Sequence, residues 1–483
     1  MSADWKIKLY HRLPVVLQES ALWVYAGYLN RLYYGRGFAA ARSQFATLQH
    51  SAAQVAAEWQ DRRLRELVRL AATRVPYYRS RWADLDWRAV RCAVDLENLP
   101  RLNKQTLRQN ESSFLVEGVA PKSLWREKTS GSTGTSLTIY WPKAMLPQWW
   151  ALTEVAIRNP AGVGQEMPRA MFGGRSVVAG DRTTPPYWRY NRRWRQLYFS
   201  TYHLSPATAA DYVAALRRYQ PQWLTGYGSA IALLAECALE AGTEPVPMRA
   251  VIVSGDTLLP GMRRSIEKFF DCKCFDSYGQ CEAVSMAMEC RAGRLHVVPA
   301  AGIWEILRED GSRCRPGEVG EIVATGLLND VMPLIRYRLG DYAAWAEEQR
   351  CSCSNPHPIV THLEGRLDDY LVGVDGRHFG RLSTAMKQSP AIHSAQLAQD
   401  RPGHAYLLVR PGSGYHRRDA VAVRADIIDR IGRFELDIVE LAEIPKTAQG
   451  KFRLVVRLDE RPELQQLYQN VIARAAGGWE RAA

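Results

Sequence analysis

The spacing of apolar residues changes along this chain. Through about the first hundred residues they recur at the three- and four-residue spacing of helices. Over 54–75 this pattern, rich in arginines, predicts one long helix. From 124 onward the texture turns to short β-type runs. Strands are predicted at 137–141, 223–225, 250–253 and 272–275, with helices at 230–240 and 260–270. That alternation predicts a parallel sheet with crossover helices. Further strands are predicted at 303–307, 321–325 and 343–345, separated by punctuation such as Pro316-Gly317.

A smaller unit is predicted from 370. It has a hairpin signal at Asp375-Gly376, strands at 395–397 and 406–409, a helix at 422–431 and a last helix after Pro462. The 483 residues exceed the length, roughly 250–300, at which one core stops growing. The expected fold class is α/β: a large multi-sheet domain over 1–365 with a helical start, a hinge at 366–369, and a small mobile α+β domain over 370–483. No internal repeat or low-complexity tract interrupts this scheme.

Composition narrows the function. A hydrophobic share of 47% excludes disorder as a description of the whole chain. The formal net charge of +13 suits an anionic partner: nucleotide, nucleic acid or anionic membrane. The basic residues are spread along the chain and no nucleic-acid module accompanies them, so no specific nucleic-acid partner is expected. No apolar run reaches the roughly 18 residues of a membrane span. The start of the chain lacks a signal-peptide pattern, so the expected location is the cytoplasm, with the 9 cysteines reduced. One segment complicates this. Val16, Leu17, Trp23, Tyr25, Tyr28, Leu29 and Leu32 lie among Glu19, Asn30 and Arg31, with Lys6, Lys8 and Arg12 upstream. Two readings stay open: a helix packed on its own domain, or a basic helix making peripheral contact with an anionic membrane.

Candidate chemistry begins at Thr129-Ser130-Gly131-Ser132-Thr133-Gly134-Thr135-Ser136. Glycines let backbone N–H groups turn inward and hydroxyls add donors, so such a loop either cradles phosphate or is a polar turn. It lacks the Gly-Lys-Ser/Thr ending of a Walker loop, and a strand follows it. Four further motifs come after it: Tyr278-Gly279-Gln280-Cys281-Glu282 beyond the strand at 272–275; Arg336-Tyr337-Arg338-Leu339-Gly340-Asp341, also expected to follow a strand; Gly365-Arg366-Leu367-Asp368-Asp369 at the joint; and Pro445-Lys446-Thr447-Ala448-Gln449-Gly450-Lys451 near the C-terminus. In this order, over roughly 100–455, the set resembles the adenylate-forming superfamily of acyl-CoA synthetases and adenylation domains. It is most similar to the phenylacetate–CoA ligase branch and its capsular-polysaccharide-type relatives.

The resemblance implies an AMP-forming ligase. ATP would activate a carboxylic acid, an aromatic one among the candidates, as an acyl-adenylate with release of pyrophosphate, and the acyl group would pass to coenzyme A. It assigns Thr129, Ser130, Gly131, Ser132, Thr133 and Gly134 to the pyrophosphate, with Thr133 catalytic. Tyr278 would stack on adenine, with Gly279, Gln280 and Cys281 beside it, and Glu282 would hold Mg2+. Asp341 would accept the ribose hydroxyls, and Arg366 would lie near ribose and phosphate. Lys451 would bridge the carboxylate and the α-phosphate, and Asp368 would be the hinge.

Departures keep alternatives open. The loop lacks the superfamily's Pro-Lys ending, Cys281 stands where Ser or Thr is usual, and 373–382 lacks the Pro and Glu of phenylacetate–CoA ligases. A second reading passes the adenylate to an amine or sugar, in surface-polysaccharide or secondary-metabolite biosynthesis, without coenzyme A. A third, a non-catalytic nucleotide-binding scaffold, runs against the intact Glu282, Asp341 and Lys451. The acyl pocket is expected from Trp223, Tyr227, Ser254, Gly255 and Asp256. The aromatic run Pro186-Tyr187-Trp188-Arg189-Tyr190-Asn191, with Tyr202-His203-Leu204-Ser205, either shapes the acyl or acceptor site or is a packed loop. Cys290, His296, Cys351 and Cys353 form two close pairs that suit a structural tetrahedral zinc, an arrangement similar to those of the phenylacetate–CoA ligase branch. Cys272 and Cys274 share a strand face and stay unassigned.

Overall fold

The computed structural model describes residues 4–479 apart from 129–136, 176, 365–369, 375–377, 380–390, 413, 432–433 and 447–451. The glycine-rich loop with Thr133, and Arg366, Asp368 and Lys451, therefore lie outside the described residues.

Helical spacing produces helices at the start: Asp4–Arg12, Val15–Tyr33, Phe38–Gln49 and Ala53–Arg74. The last buries Leu64, Leu67, Val68 and Ala71 along one stripe, at the predicted place. A hairpin of β1 (Trp125–Lys128) and β2 (Thr138–Trp141) follows. Twelve strands then build one sheet. They are β3 (Arg169–Gly173), β4 (Trp188–Asn191), β5 (Gln196–Ser200), β6 (Trp223–Gly226), β7 (Ala250–Val253), β8 (Cys274–Gly279), β9 (Met286–Glu289), β10 (Leu295–Val297), β11 (Gly302–Leu307), β12 (Val319–Gly326), β13 (Tyr337–Trp345) and β14 (Ile359–Glu364). Their spatial order is β11-β12-β13-β14-β10-β9-β8-β7-β6-β3-β5-β4. Strands β5, β3, β6, β7 and β8 are parallel neighbours. Their crossovers include the helices Ala209–Tyr219, Gly228–Glu240 and Pro260–Phe270. A parallel strand covered on both faces reads as an unbroken apolar run, which is why all of Ala250–Val253 is buried.

β8 joins the two halves of this sheet. Its first residues pair in parallel with β7, and Ser277, Tyr278 and Gly279 pair antiparallel with β9. Both β8 and β13 run longer than their sequence patterns predict. Tyr278, Gly279 and Asp341 therefore lie within strands rather than in the loops after them. Gly340, at φ 76°, and register shifts along β13 let the strand take a polar stretch without losing its pairing. The 186–191 run is a packed element. Tyr187 is buried and stacks on Tyr212 at 5.9 Å and on His203 at 5.3 Å, while Trp188–Asn191 forms the edge strand.

After the short pair β15 (Leu371–Val372) and β16 (His378–Phe379), a separate sheet forms from β17 (Ile392–Arg401), β18 (His404–Pro411), β19 (Glu435–Glu440) and β20 (Val455–Arg457), in the order β19-β18-β17-β20. Leu397, Leu407 and Val409 pack with the helix Arg417–Ile431, and Ala398, Leu408 and Val456 with the helix Pro462–Trp479. Alternation along each strand thus fills two cores. This small sheet docks on the helices Gly228–Glu240 and Pro260–Phe270. Arg410 forms a buried ion pair with Glu236. A Cβ on Gly261 would lie 2.6 Å from the Ile392 carbonyl oxygen, so glycine permits that approach.

Arg336 ties an early segment to the large sheet. Its guanidinium meets both Glu305 carboxylate oxygens at 2.8 and 3.0 Å and donates to the carbonyls of Leu99 and Glu97. Both side chains are buried. Arg336→Met leaves the Glu305 charge buried alone, so urea unfolding should show a loss of roughly 3–5 kcal/mol. Adding Glu305→Met should recover most of it. A single-variant loss below about 1 kcal/mol, the size of an exposed pair, would contradict this role.

Candidate functional site

Parallel strands bring their carboxyl ends to one edge, and loops beyond that edge carry chemistry in open α/β sheets. The local backbone here depends on Gly226. Its φ is 135°, and a Cβ would lie 1.9 Å from the Phe172 carbonyl oxygen. Without a side chain the strand end crosses β3, and the next N–H, of Tyr227, donates to that oxygen at 2.8 Å. The helix Gly228–Glu240 starts immediately after. Its first amides would be unsatisfied, and Asp256 from the neighbouring loop accepts them: Gly228 N–H at 2.8 Å, Ser229 N–H at 3.2 Å and the Ser229 hydroxyl at 2.5 Å. Gly255, at φ 85°, brings its loop against the Tyr227 ring.

Tyr227, Ser254, Gly255 and Asp256 are therefore brought together at this edge. Burial raises the Tyr227 phenol above its usual range, and Asp256, Tyr202 and Cys281 lie within electrostatic reach of it. Trp223 is not part of this group. It opens β6, is buried in the core, and packs near the Arg158 and Arg169 guanidinia. The Asp256 carboxylate is committed to the helix start.

The second group sits where β8 changes its pairing. Tyr278 donates its hydroxyl to Asp341 Oδ2 at 2.5 Å, across 63 positions of sequence. Its ring meets Trp304 edge-on at 5.5 Å. Gln280 donates to the Tyr278 oxygen at 3.2 Å and also to Ser285. The Gln280 side-chain oxygen, Oε1, is buried with no partner among the described residues. A buried acceptor left open is costly and calls for a donor. Glu282 is 4% exposed. Its Oε1 accepts from the Tyr337 hydroxyl at 3.3 Å and lies 3.6 Å from the Lys104 ammonium. Ala283, just after it, holds a left-handed φ of 54°, the sort of backbone strain found at functional sites. Lys104 has no sequence signal of its own. It lies in a short polar helix capped by Asn103, and only the fold brings it to Glu282.

Lys446 and Phe452 are the described residues on either side of the segment that holds Lys451. Lys446 and Phe452 line a seam with Ser229, Glu236 and Arg410, between the small sheet and the helix after β6.

The third group is Cys290, His296, Cys351 and Cys353, whose ligand atoms all lie within 4.8 Å of one another. Cys290 and Cys351 sulfurs are 3.6 Å apart, and Cys353 Sγ is 3.4 Å from His296 Nε2. A disulfide would need about 2.05 Å. A tetrahedron with metal–sulfur bonds of about 2.3 Å has sulfur–sulfur edges of about 3.8 Å. His296 Nδ1 faces the His357 carbonyl at 3.0 Å, which leaves Nε2 for a ligand. The pairing of β10 with both β9 and β14 closes the long sequence gap between the Cys290–His296 and Cys351–Cys353 pairs.

No family model matches the chain. Protein CapK of Staphylococcus aureus is 26% identical over 377 residues, covering 75% of this chain and 80% of that protein. The phenylacetate–coenzyme A ligase of Pseudomonas putida is 24% identical over 323 residues, 64% of this chain and 70% of that protein. Among solved structures, 2-hydroxyisobutyryl-CoA ligase in its postadenylation state superposes with a TM-score of 0.64 at 18% identity, over 88% of this chain and 94% of that one. The same ligase in its thioesterification state gives 0.53. In sequence the chain is similar to these ligases and to CapK, and its fold is that of the adenylate-forming enzymes. Among these enzymes, the phenylacetate–CoA ligase branch fits the sequence relatives, and the superfamily's pairing of a large and a small domain matches the two sheets.

Burial and the Asp341 charge push the Tyr278 phenol well above its ordinary range. Below about pH 10 this has no cost. As pH rises through that value the unfolded chain loses this proton and the folded chain keeps it, so stability falls. Tyr278→Phe removes the difference. Its unfolding midpoint should decline with alkaline pH less steeply than that of the parent protein, by about one proton. Equal slopes would contradict the half-buried, Asp341-bonded placement.

Proposed function

We propose that the protein adenylates a carboxylic acid with ATP and then passes the acyl group to a thiol, with coenzyme A as the acceptor. The acid's carboxylate oxygen attacks the α-phosphorus. The bond to the β-phosphate oxygen breaks, and pyrophosphate leaves. The convergence of Tyr278, Gln280 and Asp341 beside the buried Glu282 carries this reading. Asp341 has a carboxylate to read the ribose hydroxyls. The open Gln280 oxygen suits an amino donor such as that of adenine. Glu282 is a hard oxygen ligand fit for Mg2+, and Lys104 beside it balances charge when the ion is absent.

In the same reading, the loop from Thr129 to Ser136 wraps the pyrophosphate, Arg366 neighbours the ribose and phosphate, and Lys451 bridges carboxylate and α-phosphate. That Lys446 and Phe452 line the seam next to Ser229 supports Lys451 acting from the small domain. The domains divide at 365 and 370, and Asp368 is the hinge. The two solved states of 2-hydroxyisobutyryl-CoA ligase motivate a small domain that turns between two half-reactions, and the arrangement here is more like the postadenylation one. Tyr227, Ser254 and Gly255 form the acyl wall. The four-residue cysteine and histidine cluster holds a structural zinc with every position filled by protein.

ATP–pyrophosphate exchange across a panel of carboxylic acids tests the first half-reaction. Exchange with at least one acid is expected, and Glu282→Gln should lower it by about a hundredfold or more. No exchange with any acid would overturn the proposal. Exchange without a thioester product would assign the acceptor to an amine or a sugar instead. Metal analysis of chelator-free protein should find one zinc per chain, lost in Cys353→Ser together with thermal stability. Metal-free protein of unchanged stability would refute the zinc site.

A further inference from the structure

The helix Val15–Tyr33 is inverted with respect to an ordinary surface helix, which turns its apolar stripe inward. Three of its polar side chains, Gln18, Glu19 and Asn30, are spent on the protein side. Gln18 bonds Arg189. Glu19 Oε1 accepts the Tyr190 N–H at 2.9 Å, and Asn30 Oδ1 accepts the Trp194 indole N–H at 2.8 Å. Ala26, Leu29 and Tyr33 are buried on the same side. These bonds fix the helix to the edge strand β4 and the turn after it, so its rotation is not free.

The outer face is apolar. Val16 is 72% exposed, Val24 65% and Trp23 47%, and Leu17, Tyr25 and Tyr28 are exposed as well. At about 3.6 residues per turn these six fall within one arc of roughly 200°. The same arc carries Ser20, Ala21, Gly27 and Arg31 and no acidic residue. Contiguous apolar surface of this kind marks an interaction site. Its cations are exposed arginines. Arg31 lies on the arc, Arg12 closes the preceding helix, and the Arg193 guanidinium sits 4.5 Å from the Trp23 ring. No helix among the described residues is long and apolar enough to cross a membrane.

We propose that this face docks the protein on an anionic lipid surface. Trp23, Tyr25 and Tyr28 would sit at headgroup depth, where amphipathic rings are favoured, and Val16, Leu17 and Val24 would enter the acyl boundary. Arg12, Arg31 and Arg193 would meet lipid phosphates. Charge favours this occupant over a second copy of the chain. A two-fold contact sets a face against itself, and this one offers arginines without a carboxylate to receive them. The inference is independent of the adenylation reading.

Flotation of the full chain with vesicles tests it. Vesicles of equal parts phosphatidylcholine and phosphatidylglycerol should carry the protein, and phosphatidylcholine alone should not. Binding should weaken as salt rises. Val24→Glu, and separately the pair Arg31→Glu with Arg193→Glu, should each reduce binding about tenfold or more. Both variants should keep the parent's melting profile, since the changed side chains are exposed. No flotation with anionic vesicles would overturn the proposal, as would binding indifferent to lipid charge. So would a concentration-dependent dimer by light scattering that Val24→Glu dissociates while vesicles are ignored.

Discussion

The crossing of Gly226 over the Phe172 carbonyl sets the geometry of the whole carboxyl edge. No other residue fits a position where a Cβ would lie 1.9 Å from that oxygen. Because β6 can end there, Tyr227 turns back along β3, and the helix Gly228–Glu240 begins with its amides on Asp256. That helix carries Glu236, the buried anchor for Arg410 of the small sheet. One backbone contact thus fixes Tyr227, the helix start, and the surface on which the second sheet docks. The same helix start, at Ser229, faces the seam lined by the described neighbours of Lys451.

Across the sheet, electrostatics does the corresponding work. Glu282 lies in the turn between β8 and β9 and Asp341 on β13, and the two would repel if both were bare. Lys104, Tyr337 and Tyr278 each take part of that burden. Behind them Arg336 and Glu305 cancel each other in a dry setting, and they are worth keeping because losing either leaves a lone buried charge. The cysteine and histidine cluster lies where the β9–β10 turn meets the segment before β14, the strand that flanks β13 and hence Asp341.

Much of this is legible in the sequence, for identifiable reasons. The motifs of Tyr278, Glu282 and Asp341 show because their polar residues interrupt the apolar texture around them. Ala250–Val253 shows because a doubly covered strand is uniformly apolar. Strands β3, β4 and β5 do not show. Their arginines and aromatics, such as Arg169 and Arg189, are buried through hydrogen bonds and ring contacts that only tertiary structure supplies. The extent of β13 is hidden by Gly340 and its register shifts, which read as a loop. Lys104 reaches Glu282 across a distance in sequence that no local pattern encodes. The N-terminal helix is the sharpest case. Its residues allow either a packed or a membrane-facing helix, and only the inward turn of Glu19 and Asn30 reveals a packed polar face with an open apolar one.

The central claim is that a carboxylate oxygen attacks the α-phosphorus at the Tyr278–Asp341–Glu282 edge. The direct measurement is turnover of an accepted acid labelled with heavy oxygen in its carboxylate, followed by mass analysis of the nucleotide product. One labelled oxygen in AMP is the predicted result. Label appearing in inorganic phosphate, with ADP as the nucleotide, would contradict it.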